Sequence, residues 1–297
     1  MATMRDIKRR KESVTSTGQI TKAMKLVATV KMQKAKTRAV NSLPYFRGMY
    51  NTVKSIIEKS HGVSHPYIDG NGEGKKAIIM ITSNRGLAGG YNSNVIKLIA
   101  NNEEFNKDNT VLYAIGKKGI TGTAKYGYEV VADYSDAINE PLFSDAIEIG
   151  NRVLKDYEEG KINEVYLAYT VFKNTVTHIP TLTRLLPFVT PEDAEMEAEH
   201  KEETAEDRIE ALTLMNFEPE AEEALNMIIP KYINSLIFGA LIQAVASENG
   251  ARMQAMDSAT SNAEDMIADL ELKYNRARQS AITQELTEII AGSAAVE

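Results

Sequence analysis

The stretch ARMQAMDSATSNAEDMIADLELKYNRARQSAITQELTEIIAGSAAV, residues 251–296, is one unbroken helical pattern, and its reading decides the fold. Met256, Ala259, Ala263, Ile267, Leu270, Tyr274, Ala277 and Ala281 recur at steps of three and four, the period of a coiled-coil stripe. Such a stripe requires a partner helix. Few of its residues are large enough to fill a core, and Asn262, Asn275, Arg276, Arg278, Gln279, Thr283 and Gln284 interrupt or flank it. A helix that only held a globule together would be more apolar.

Working back from this stretch, the helical pattern resumes around Pro219 and runs to about Ala291, a length on the order of 100 Å at about 1.5 Å per residue. Pro230 marks its first turns or a kink, and Gly239 and Gly250 each cost roughly 1 kcal/mol relative to alanine. The opposite terminus offers the partner. Residues 3–58 read as a second long helix, with Thr3 and Asp6 as a capping pair and no strong stop before Pro44 and Gly48.

Between them the period changes. KKAIIMITS, TVLYAIG, YEVVAD and EVYLAYTVF are short apolar or β-branched runs, separated by the helical segments SNVIKLIANNEEF, KKGITGTAKYG and LFSDAIEIGNRVLKDYEEG. This alternation implies βαβ units and a mainly parallel sheet. NTVTHIPTLTRLLPF reads as a further strand at the sheet edge, where Pro180 and Pro187 are tolerated. The expected fold is α/β: a long antiparallel coiled coil of the N- and C-terminal helices with an inserted Rossmann-like α/β domain, a rod with a globular foot. The boundaries fall at 1–60 for the N-terminal coiled-coil helix, 61–190 for the α/β foot, 191–218 for an acidic connecting segment and 219–297 for the C-terminal helix. HGVSHPYIDGNGEG makes the first of them.

Composition excludes several classes of chemistry. The chain has 297 residues and no cysteine, which removes disulfides, thiolate zinc sites and cysteine nucleophiles. His61, His65, His178 and His200 are scattered without ligand spacing, so no metal is expected. No apolar run approaches the roughly 20 residues needed to span a bilayer, and MATMRDIKRRKESV lacks the apolar core of a secretory signal, so the chain is expected to stay in the cytoplasm. Charge is segregated by segment. In the first forty residues Arg5, Lys8, Arg9, Arg10, Lys11, Lys22, Lys25, Lys31, Lys34, Lys36 and Arg38 stand against only Asp6 and Glu12, whereas the tract from Pro191 to Leu225 is densely acidic and accounts for the net charge of -7. Charged partners for separate parts of the molecule follow.

One glycine-rich loop, SNRGLAGGYNSNV, follows a strand and opens a helix, where a phosphate cradle would sit. Its spacing argues against that use. Gly86, Gly89 and Gly90 do not form G-x-G-x-x-G, and the lysine and Ser/Thr of a P-loop are missing. A tight strand-to-helix turn, capped by Asn92 or Ser93 and holding Arg85 out on a rigid loop, explains the glycines. No cofactor is expected.

ITKAMKLVATVKMQKA near the start, SNRGLAGGYNSNV in the middle, and ARMQAMDSATSNAEDMI followed by YNRARQSAITQELTEIIAGSAA at the end together resemble the gamma-subunit family of rotary F-type ATP synthases. Both termini and the central insert match in order. Asn84 stands where an aspartate is usual, Ala88 where cysteine is common, and Ser293 where alanine usually follows Gly292. The cysteine-bearing regulatory insert of the chloroplast version is absent.

The resemblance implies a central rotor shaft that contributes no catalytic residue. Its paired helices fill the bore of a ring of three alpha and three beta subunits, and its foot sits on the membrane rotor ring with the epsilon subunit. Ion flow turns the ring, and the shaft drives the three catalytic sites through their states in sequence. The complex would lie peripherally on the cytoplasmic face of a bacterial cell membrane, with no transmembrane segment of this chain. The ring-facing contacts so implied are Lys22, Met24, Arg85, Gly86 and Ala88 and, higher on the shaft, Arg252, Arg278, Gln279, Thr283 and Glu285. A nucleic-acid-binding basic helix is the competing function, against which stand the acidic total, the lack of interleaved aromatics and the apolar positions within that helix. A nucleotide-dependent enzyme fails on the loop spacing.

Overall fold

The computed structural model describes residues 4–59, 65–188 and 221–294. Thr3 of the expected cap and the acidic segment 191–218 lie outside the described residues. The chain divides into two compact units, one built from residues up to Val30 and from Arg252 onward, the other from Lys31–Ala251. Two helices contribute to both: α1, Met4–Lys59, and the C-terminal helix, Ala221–Ala294.

In the larger unit, α2 (Pro66–Asp69) leads to β1 (Lys75–Ile81), α3 (Tyr91–Ala100), β2 (Thr110–Ile115), α4 (Lys117–Thr123), β3 (Glu129–Asp133), α5 (Phe143–Glu158), β4 (Ile162–Phe172) and β5 (His178–Leu186). The C-terminal helix is then α6. Strand order is β3-β2-β1-β4-β5, parallel throughout except that β5 runs antiparallel to β4. The parallel pairs need crossovers, which α3, α4 and α5 supply, and the β4–β5 hairpin needs only a turn. Pro180 does sit on the edge strand, opposite Thr170.

The central strand β1 is buried on both faces, and so reads as a continuous apolar run. Period-two alternation sorts its side chains. Ile79 and Ile81 join Tyr113, Ile149, Val153, Tyr157, Leu167 and Tyr169 in one core. Ile78 and Met80 join Val95, Ile99, Phe105, Leu112 and Tyr166 in the other. The first core is closed by α6, whose Leu225, Ile229, Ile233, Ile237, Leu241 and Ala244 are buried at helical spacing. This packing explains a correction to the sequence reading. One stretch within α6 is apolar enough by length and composition to cross a bilayer, but 56% of it is buried inside the protein, as expected of a core helix.

In the smaller unit, the ends of α1 and α6 pair antiparallel. Lys11 bonds Glu271 at 2.5 Å, Thr21 meets Thr260 at 2.8 Å and Lys25 bonds Asp257 at 2.6 Å. As position rises along α1, its partner in α6 falls by an equal number of residues to within one, which fixes a single register. Met4, Ile7, Lys11, Val14, Gly18, Thr21, Lys25 and Ala28 form the α1 stripe, each buried or half-buried at alternating steps of three and four. Every residue of the stripe expected on α6, from Met256 to Ala281, is likewise buried or half-buried.

Candidate functional site

Around Gly18, Thr21, Thr260 and Ala263 the seam of the helical unit is built from small residues. A methyl group added at Gly18 would lie 3.3 Å from Cβ of Ala263, so the backbones approach closely there. The Thr21 hydroxyl lies 3.0 Å from the carbonyl of Gly18 and that of Thr260 2.8 Å from the carbonyl of Met256, and with one proton each, one of them bonds back to its own helix while the other bridges the pair. Polar atoms in the seam are thus satisfied within the helical pair. Thr283 and Thr287 bond back to Gln279 and Thr283 in the same way, at 2.9 and 2.8 Å. A surface of this kind makes no demand for a fixed polar partner.

Most of the contacts implied by the resemblance lie on the surface of this unit. Lys22, Arg278, Gln279, Thr283 and Glu285 are exposed, and Met24 and Arg252 are half-buried. Gln279 and Thr283 stand one turn apart and line a shallow groove with Ser280, Gln284 and Thr287. Arg278 and Glu285 stand two turns apart. Lys25, one turn from Lys22, is taken up by Asp257.

From Ile282 to Ile290 every side chain is exposed. Ile282, Leu286 and Ile289 are 49%, 55% and 66% exposed, and they lie on a face turned away from the seam, whose phase continues through Gln284 and Glu288. The apolar residues of this segment escaped the reading of the sequence. Their signal was a stripe at steps of four and three, out of phase with the one before it. The outer side of α1 carries a similar row, with Ile20, Val27 and Val30 at least 58% exposed.

In the larger unit the glycine-rich loop is braced from several sides. Asn92 does not cap α3: its side-chain oxygen accepts from the Ser83 N–H at 2.8 Å and its amide donates to the Ser83 hydroxyl at 2.8 Å, closing the end of β1, while Gly90 takes the cap position without a side-chain bond. Ser93 returns its hydroxyl to the Gly90 carbonyl at 3.0 Å. Asn84 donates to the Ser135 carbonyl at 2.7 Å and accepts from the Lys117 N–H at 3.1 Å. An amide can donate and accept in this way, which an ionised aspartate cannot. Arg85 is exposed, Gly86 half-exposed and Ala88 buried, so the side chain presented beside Ala88 is that of Leu87, 64% exposed.

Beneath the sheet, Asp156 is a buried carboxylate of this unit. It accepts from Tyr113 at 2.8 Å, Arg152 at 2.8 Å and Lys161 at 3.1 Å. Burial pushes its carboxyl up, but the bonds from Tyr113, Lys161 and Arg152 outweigh burial and hold it below the ordinary carboxylate range. The same bond and burial push the Tyr113 hydroxyl up. The network braces α5 against β2. Among the described residues no cluster of three or more His, Asp or Glu is placed to hold a metal ion.

A family model described as ATP synthase matches residues 3–296. The chain is 64% identical to the ATP synthase gamma chain of Lachnoclostridium phytofermentans over all of both chains. It is 41% identical to the gamma chain of Acetobacterium woodii described as sodium ion specific, over 99% of this chain and 98% of that one. Among solved structures it resembles a chain of the central stalk and c-ring of the Tetrahymena thermophila mitochondrial ATP synthase, with TM-score 0.57 and 25% identity over 81% of this chain and 99% of that one. A chain of the Euglena gracilis mitochondrial assembly shares the fold with TM-score 0.65, at 17% identity over 99% and 94%. A matching family model along the whole chain, close relatives of full length and the same central-stalk fold converge: the chain belongs to the gamma-chain family of ATP synthase.

Proposed function

We propose that the chain is the rotating shaft that couples ion flow through a membrane rotor ring to the cycling of three catalytic sites, in ATP synthesis or hydrolysis. In this reading the helical unit occupies the bore of the alpha and beta ring, and the sheet unit sits on the rotor ring with the epsilon subunit, peripherally on the cytoplasmic face of a bacterial membrane. Lys22, Met24, Arg85, Gly86, Ala88, Arg252, Arg278, Gln279, Thr283 and Glu285 supply contacts to the ring. The chain binds no nucleic acid and no cofactor of its own.

The observation that carries this reading is the end of α6. At nine consecutive exposed positions, Ile282–Ile290, the described residues leave the apolar side chains of Ile282, Leu286 and Ile289 49%, 55% and 66% exposed. An apolar helical surface without a core calls for an enclosing partner. A bore supplies one on all sides. The exposed cations of α1 suit acidic ring loops, because charge attraction acts across several ångströms and tolerates changing orientation.

Purification of the chain from its own cells at native abundance tests the reading. Alpha and beta subunits are expected to copurify in stoichiometric amounts. Nucleic acid in their place would favour the basic-helix alternative, and recovery of the chain alone would contradict the shaft.

A further inference from the structure

The interior of α6 carries a glycine, Gly250, at a position where alanine is the better helix former. The reason is a neighbour. A methyl group there would collide with Nε2 of His178, the first residue of β5, and would lie 3.4 Å from the Phe172 ring of β4. Phe172 and His178 pair across the hairpin with their rings 5.8 Å apart. The imidazole is thus seated between an aromatic ring and bare helix backbone, and its Nε2 is buried there without a hydrogen-bond partner.

A neutral imidazole tolerates such a seat and a charged one does not. Both nitrogens of an imidazolium are donors, so protonation would leave a charged N–H where no acceptor stands. Burial accordingly pushes the imidazole pKa down, and no neighbouring charge contributes to the shift. The charged groups on the surrounding elements are Lys173 just after β4, Lys97 of α3, which lines a shallow groove with Pro180, Arg184 further along β5, and Glu248 and Arg252 of α6. The last two stand two residues to either side of Gly250, which at about 100° per residue turns them to the opposite face of the helix.

The turn of the hairpin is closed on itself, with the Asn174 side-chain oxygen accepting from the Val176 and Thr177 N–H groups at 2.9 and 2.7 Å. This end of the hairpin is joined to α6 through the His178 seat and, one turn back along the helix, through the Ser247 hydroxyl, which donates to the Thr170 carbonyl at 3.0 Å. We propose that His178 is a proton-operated latch: neutral, it holds the end of the β4–β5 hairpin on α6 at Gly250, and charged, it leaves the seat and frees the hairpin. The closed state binds fewer protons than the open one. The latch is therefore fully closed above the ordinary imidazole value, about 6.5, and weakens as pH falls below it. It belongs to the chain itself and does not depend on the shaft reading.

Hydrogen exchange of the isolated full chain, followed by mass spectrometry on peptides covering residues 171–180 and corrected for the intrinsic rate at each pH, reads the latch. Wild type is expected to exchange at least roughly threefold faster in this segment at pH 5.5 than at pH 7.5, with peptides of β1 unchanged. His178→Gln keeps a polar side chain of similar reach without a titrating ring, and is expected to show the same corrected rate at both pH values. Gly250→Ala expels the imidazole, and is expected to exchange at pH 7.5 as fast as wild type does at pH 5.5. His61, His65 and His200 titrate in every form and cancel from the comparison. A hairpin that ignores pH in wild type overturns the latch, as does the same acid response in His178→Gln. Slower exchange at pH 5.5 would mean that a carboxylate receives the imidazolium, and equal acceleration in β1 would mean global unfolding; either result overturns it.

Discussion

Gly150 and Asp156, two residues of one helix, illustrate how much of this molecule is decided by neighbours distant in sequence. Gly150 looks like a weak point in α5, yet a methyl group there would collide with the side-chain oxygen of Asn234 on α6. Gly150→Ala is therefore expected to destabilise the chain by about 1–3 kcal/mol despite its better helix propensity, read as a lower melting temperature of the isolated chain. Nothing in the local sequence announces this contact. Asp156 likewise reads as one carboxylate among several in RVLKDYEEG, and only the fold brings Tyr113 to it. Because its folded pKa is depressed, its contribution to stability is fully present above the unfolded value, near 4, and is lost as pH falls through the folded value. Asp156→Asn should lower stability at neutral pH by about 2 kcal/mol. It should also flatten the loss of stability below about pH 4, measured by urea melts from pH 7 to pH 3. An acid limb as steep as that of wild type would remove Asp156 from the account.

The pairing of α1 with α6 was legible because steps of three and four survive any amount of polar substitution. Met256 to Ala281 are buried or half-buried where the spacing placed them. What the spacing hid was the change of phase after Ala281, because Thr283, Gln284, Glu285, Thr287 and Glu288 intersperse the apolar residues there with polar ones. Replacing Ile282, Leu286 and Ile289 together by glutamate should leave the melting of the isolated chain within about 0.5 kcal/mol, since these side chains are exposed. The same variant should lower the thermal stability of the assembled complex; an unaltered complex would mean that no sleeve encloses this end. The seam makes the converse prediction. Gly18→Leu forces a large side chain against Ala263 and should cost about 1–3 kcal/mol in the isolated chain, visible as an early loss of helix on heating. The alternation of strands and helices along the chain was also legible from the apolar runs, and the edge position of β5 from Pro180. The cap of α3 was not, because Asn92 is drawn away to the end of β1, a partner nine residues back that no capping rule includes.

At the scale of the whole molecule, the family, the sheet unit and the antiparallel helical pair are established, and rotation is the claim that gives them a purpose. Reversal of Lys22 and Lys25 to glutamate, considered alone, would mix two effects, because Lys25 already bonds Asp257 within the chain. Lys22→Glu alone is the cleaner test of attraction to acidic ring loops, and a salt-dependent loss of assembly rate is its expected outcome. Rotation itself can be watched. The chain has no cysteine, so a single Lys107→Cys substitution in an exposed loop gives one attachment point for an optical probe. With the alpha and beta ring fixed to a surface and ATP supplied, the account predicts that the probe turns in one direction with three stops per revolution, at a rate set by ATP turnover. A probe that stays fixed in orientation while the same complexes hydrolyse ATP would contradict it.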